Sequence, residues 1–104
     1  MSTKKKSDAI KFLEKLSGRP LTLGGLIESI RLGEEISQVA FAKKLKISPS
    51  HLCDIEKGRK TVSAARSAFF AQALGHSESQ FVRLALQDEV QKSGLKLIVS
   101  VKAA

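Results

Sequence analysis

The chain has 104 residues, 42% of them hydrophobic, with one cysteine, no Trp or Tyr, and a formal net charge of +8. That size allows one small domain with a modest core, and apolar runs of only a few residues exclude a membrane-spanning segment. A lone cysteine excludes an internal disulfide and suits a reducing, cytoplasmic setting, while so few aromatic rings argue against a reader of single-stranded nucleic acid, which needs stacking platforms.

Met1–Lys6 is expected to be a flexible basic arm; no apolar stretch follows its lysines, so it does not read as a secretory signal. Ser7 caps a short helix over Asp8–Ser17, with Ala9, Phe12, Leu13 and Leu16 on one face and Gly18 and Pro20 ending it. Thr22 caps the next helix, which places Leu23, Leu26, Ile27 and Ile30 at helical spacing and ends near Gly33. Gly24 and Gly25 near its start would each cost about 1 kcal/mol relative to Ala in an exposed helix. Close packing against a neighbouring helix is therefore expected there.

Ser37–Lys57 is the most informative stretch. Ser37 is a favoured N-cap, and Phe41, Ala42 and Leu45 form one buried face. Lys46-Ile47-Ser48 makes a corner, and Ser48 caps a second helix with Pro49 at its first position, where a missing N–H costs nothing. Leu52 and Ile55 point inward, and Gly58 stops the helix. Two short helices joined so tightly form a helix-turn-helix, whose second helix fits the DNA major groove.

Lys60-Thr61-Val62 then connects to a helix running from the cap Ser63 to Gly75, with Ala64, Ser67, Ala68, Ala71 and Leu74 as a small-residue face flanked by Phe69 and Phe70. Ser77 and Gln80 make a capping box for a last helix reaching about Lys92. That helix carries two apolar stripes, Phe81, Leu84 and Ala85 on one side and Val82, Leu86 and Val90 on another. A lone domain needs one, so the second predicts a protein interface. Beyond Gly94, the alternation of Leu95, Leu97, Val99 and Val101 predicts a β-strand over Leu95–Val101. No other segment reads as its partner, so it is expected to pair with a second copy of the chain or with another protein.

Ser37-Gln38, Phe41-Ala42-Lys43-Lys44-Leu45, Ile47-Ser48, Leu52 and Ile55-Glu56-Lys57-Gly58-Arg59 resemble the phage-repressor (Xre/Cro) helix-turn-helix family in register and without a gap. The resemblance runs from about Leu23 to about Leu84 and includes Ala73-Leu74-Gly75. It implies an all-α, five-helix, lambda-repressor-like DNA-binding domain, here with a C-terminal β-strand for dimerisation or partner pairing. The expected organisation is a basic arm over 1–6, a helical domain over 7–92 and an extension over 93–104.

The resemblance also implies base contacts from Pro49, Ser50, His51 and Asp54, at the start of the recognition helix and one turn later. Ser50 can bond several base edges, and Asp54 would accept from a cytosine amino group while repelling phosphates. The plainer reading of Asp54 is a solvated helix residue. Phosphate contacts are expected from Gln38, Ser48, Lys57, Arg59 and Lys60. Two positions depart from the family pattern. Pro49 stands where a polar residue is common, and Lys46 stands where glycine is frequent, at a cost of about 1–2 kcal/mol if its backbone is left-handed. Glu56 is expected to be structural, paired with a nearby arginine or lysine.

Charge follows the same map. Residues 1–20 hold six Lys/Arg against two acids, and residues 37–60 hold six against Asp54 and Glu56. Residues 21–36 set Arg31 against Glu28, Glu34 and Glu35. Positive charge thus gathers on the arm and the motif, as a polyanion-binding surface requires. A solvated basic surface is the plain alternative, but it does not account for that coincidence.

His51, Cys53 and Asp54 invite a metal or catalytic reading. Positions 51 and 53 point to different sides of a helix, His76 has no cysteine near it, and no metal-ligand spacing or catalytic motif is present. No enzyme activity, metal or cofactor is expected. The leading function is a dimeric, sequence-specific repressor on a palindromic operator in double-stranded DNA. The alternative is an antitoxin-type protein that neutralises a partner toxin through its C-terminal helix and strand while autoregulating its operon. The expected interface in either case is Val82, Leu86, Val90, Leu95, Leu97, Val99 and Val101.

Overall fold

The computed structural model describes residues 21–104, in which five helices follow one another: α1 Leu23–Gly33, α2 Gln38–Leu45, α3 Pro49–Glu56, α4 Ala64–Leu74 and α5 Glu78–Lys92. Each starts where a hydroxyl can satisfy an orphan backbone donor. Thr22, Ser37, Ser48, Ser63 and Ser77 accept from the N–H three residues on, at 3.0–3.2 Å. The expected basic arm and the helix over 8–17 lie outside the described residues.

The core is built around three fully buried rings, Phe41, Phe70 and Phe81, with Leu23, Ile27, Leu45, Leu52 and Ile55 packed about them. Phe70, read from the sequence as flanking the small-residue face of α4, is central, and Ala64 on that face is exposed. The α4–α5 pair is the most extensive helix packing, and α3 lies against both α1 and α2.

One ion pair ties the first three helices together. Glu56, at the end of α3, has no exposed side-chain surface, and Arg31 of α1 keeps 12%. The guanidinium donates from Nε to Oε2 at 2.8 Å and from Nη2 to Oε1 at 3.0 Å. Gln38, the first residue of α2, donates its amide to Oε1 at 2.9 Å, and Arg31 Nη1 reaches the Ile36 carbonyl at 3.3 Å. The expected partner of Glu56 is thus Arg31. A buried carboxylate held by three donors from two other helices fixes the angle of α3 as well as its charge.

Helix α1 meets α3 backbone to backbone. A Cβ at Gly24 would overlap the carbonyl oxygen of Ile55, so glycine here permits the approach. Gly25 is looser, its nearest neighbour being the Thr22 hydroxyl at 3.2 Å from a built Cβ. The expected close packing therefore belongs to Gly24. Across the domain, Asp88 of α5 accepts the Leu23 N–H at 3.0 Å, capping the start of α1 from a distant helix.

The expected β-strand over Leu95–Val101 is not formed; the described residues contain helices and no strand. The chain turns after α5, with Leu95 N–H donating to the Val90 carbonyl at 3.2 Å. The segment then runs back past Gln87, whose amide donates to the Leu97 carbonyl at 2.9 Å and accepts from Val99 N–H at 2.8 Å. With one of its N–H groups and its oxygen, this amide gives Leu97 and Val99 what one residue of a parallel neighbouring strand would give. It holds the segment extended but cannot continue as a ladder. Leu95, Leu97 and Ile98 are exposed, while Val99 and Val101 are half-buried.

Two stability predictions arise here. Arg31→Met should cost about 3–5 kcal/mol in urea unfolding, because it leaves a buried carboxylate unpaired. Replacing Glu56 with Met as well should recover much of that loss. Gly24→Ala should cost about 1–3 kcal/mol by overpacking. The control Gly33→Ala, where a Cβ meets nothing within 4 Å, should instead stabilise by about 0.5–1 kcal/mol.

Candidate nucleic-acid interface

With Leu52 and Ile55 buried, the periodicity of α3 turns Pro49, Ser50, Cys53, Asp54 and Lys57 outward. Pro49, Ser50 and Lys57 are exposed; His51, Cys53 and Asp54 are half-buried. In the corner before α3, Lys46 is left-handed, with φ 57° and ψ 41°, so the backbone cost set out above as conditional applies. Its N–H donates to the Lys43 carbonyl at 3.2 Å, and the Ile47 N–H to the Ala42 carbonyl at 3.0 Å, closing α2. The Lys46 ammonium lies 5.7 Å from the centre of the Phe69 ring on α4. A cation–π contact of about 0.5–1 kcal/mol offsets part of the backbone cost.

At the far end of α3 the chain doubles back at Gly58, whose φ is 76°. The N–H groups of Arg59 and Lys60 both donate to the Asp54 carbonyl, at 2.8 and 3.2 Å. This brings two expected phosphate contacts against an expected base reader. Arg59 Nε donates to Asp54 Oδ1 at 2.8 Å, and Lys60 Nζ stands 3.8 Å from Oδ2. Arg59 Nη2 also reaches Cys53 Sγ at 3.7 Å. The Arg59 guanidinium, followed by the charge of Lys60, holds the Asp54 carboxyl below the usual carboxylate range. Partial burial, followed by the positive charges of Arg66 and Lys60, pushes the His51 imidazole down.

A model of the helix-turn-helix family matches residues 27–81, a little over half of the chain. The chain belongs to the phage-repressor (Xre/Cro-like) helix-turn-helix family. It is a DNA-binding transcription regulator of that kind. No curated protein and no solved structure matches it.

Within this regulator, three candidate base readers, Pro49, Ser50 and Asp54, are turned outward on α3 and His51 is half-buried beside them, while Lys57, Arg59 and Lys60 sit at its C-terminal end. Ser48 and Gln38 serve structural bonds as well: the Ser48 hydroxyl caps α3, and one Gln38 amide hydrogen goes to Glu56. The candidate protein interface lies elsewhere, on α5 and the C-terminal segment. Arg66, whose charge reaches His51, was not among the sequence candidates. It belongs to α4, which packs against α2 and α5, and only the tertiary arrangement brings its charge near His51. Among the described residues, no group of three His, Cys, Asp or Glu could hold a metal ion, and no helix is long and apolar enough to cross a membrane.

The depressed His51 value has a testable sign. Between the folded value and the ordinary one near 6.5, the unfolded chain binds more protons than the native state, so this group makes stability rise with pH. Unfolding midpoints should fall as pH drops below about 6.5, and His51→Gln should flatten that fall; an NMR titration of the imidazole should find it below the ordinary value.

Proposed function

We propose that this regulator is a sequence-specific repressor that acts as a two-fold dimer on a palindromic operator. The observation that carries the reading is the division of labour along α3. Its first turn exposes Pro49 and Ser50, with His51 and Asp54 beside them, while exposed cations crowd its far end. Side chains at the first position suit base edges, and cations flanking the helix suit the phosphates that fix its register. Gln38 and Ser48, at the starts of α2 and α3, add helix N-termini to the phosphate contacts. Pro49 contributes apolar contact to a thymine methyl or a sugar.

The dimer is supported by the apolar surface at the other end of the chain. Leu95, Leu97 and Ile98 are exposed, and Val82, Leu86, Val90, Val99 and Val101 are half-buried. A second copy related by a two-fold axis covers such a surface on both chains at once. Binding both halves of a palindrome requires of that dimer two recognition helices about 34 Å apart, one turn of DNA. The same exposed residues support a second reading, in which they hold a partner toxin and the protein autoregulates its operon as an antitoxin.

Selection of bound duplexes from a random library should return a two-fold symmetric consensus. Arg59→Ala or Lys60→Ala should weaken binding to every duplex, whereas Ser50→Ala should change the preferred bases, at about 1–3 kcal/mol per lost good contact. Uniform weakening by all three would replace sequence-specific reading with a purely architectural binder. In sedimentation, Leu97→Lys with Val99→Lys should yield a helical monomer. A dimer that survives those changes would assign the surface to a different protein and favour the antitoxin.

A further inference from the structure

The acid on the recognition helix is already occupied from within the chain. Two backbone N–H groups anchor the Arg59-Lys60 turn on the Asp54 carbonyl, and both side chains then close on its carboxylate. The cations remain well exposed, at 56% and 59%, and Asp54 keeps 28%. An ion pair this open to water is weak and can exchange partners. A DNA phosphate is the same kind of acceptor for Arg59 as the carboxylate it now holds.

We propose that Asp54 is an internal competitor for DNA phosphate: it holds Arg59 and Lys60 on itself in the free protein and on non-operator DNA, and releases them when a base-edge amino donor takes its carboxylate. The proposal rests on the base-reading and phosphate-binding roles proposed above. On a duplex with no amino donor at that position, one of two things happens. The pair stays closed and Arg59 serves only to neutralise the acid, or it opens and leaves an unpaired acid facing phosphates. Either way non-specific affinity is held down. At a cytosine amino group the carboxylate gains a donor, and Arg59 and Lys60 become free for the backbone. The pair thereby increases the ratio of specific to non-specific binding, which matters more to a regulator than affinity alone.

The test compares wild type with Asp54→Asn on a short random-sequence duplex and on the selected operator, across a salt series. Asp54→Asn should bind the random duplex about tenfold more tightly at 0.1 M salt, with a log–log salt slope steeper by about 0.9 for each phosphate gained. The operator should gain nothing, so the specificity ratio falls. Adding Arg59→Ala to Asp54→Asn should remove most of the gain. Should asparagine disturb the turn after α3, as a changed thermal midpoint would report, Asp54→Ser makes the same comparison. A wild-type protein that binds DNA, with affinity and slope unchanged in either variant, overturns the competition and leaves the repressor reading standing. So does a gain that persists in full when Arg59 and Lys60 are both alanine, since that is a general effect of net charge. A protein that binds no duplex overturns both.

Discussion

The arrangement of the helix-turn-helix depends on the buried contact between Arg31 and Glu56. Burying a carboxylate is costly unless every oxygen is satisfied, and here the bonds come from α1 and α2 while the acid itself sits at the end of α3. The pair is a three-way register. A rotation of α3 that moved Ser50 or Asp54 away from its outward face would also pull Glu56 from its donors. Gly24 works with it, since the carbonyl of Ile55, the residue before Glu56, is the atom that the missing Cβ admits. Apolar packing alone would tolerate more than one angle; a fork-shaped guanidinium against a carboxylate does not.

Around that fixed frame the two ends of α3 are built differently. The N-terminal end is simple: a serine cap, a proline in the first turn, and the exposed side chains of Pro49 and Ser50. The C-terminal end is crowded, with the Gly58 turn folding Arg59 and Lys60 back over Asp54. Lys46 shows a compromise of the same kind. It takes a left-handed backbone where glycine would be free of strain, and its ammonium is drawn to the Phe69 ring of α4. That contact braces the corner between α2 and α3 against the helix behind it.

The C-terminal segment shows how a period-2 pattern can mislead. Alternating Leu95, Leu97, Val99 and Val101 has the periodicity of a strand, yet a strand is defined by its ladder, and a ladder needs a partner. Among the described residues the partner on offer is a single amide, that of Gln87, which bonds Leu97 and Val99 and goes no further. Extension without pairing is the result. The pattern was informative about which residues lack cover, since Leu95 and Leu97 are exposed, but Ile98 on the opposite parity is exposed further still.

The amino-acid sequence by itself determined the local structure: five helices, their hydroxyl caps at Thr22, Ser37, Ser48, Ser63 and Ser77, the corner at Lys46-Ile47-Ser48, and the family register across Ser37–Arg59. These features are settled by neighbours three or four residues apart, through capping bonds, helical periodicity and backbone sterics, so they can be read along the chain. Tertiary structure decided the pairings. Arg31 rather than a lysine meets Glu56, Asp88 caps a helix 65 residues away, Arg66 reaches the surroundings of His51, and Phe70 rather than Phe69 enters the core. Each of these depends on the angle at which one helix crosses another. That angle is set by the whole core at once, and no spacing within a single segment encodes it.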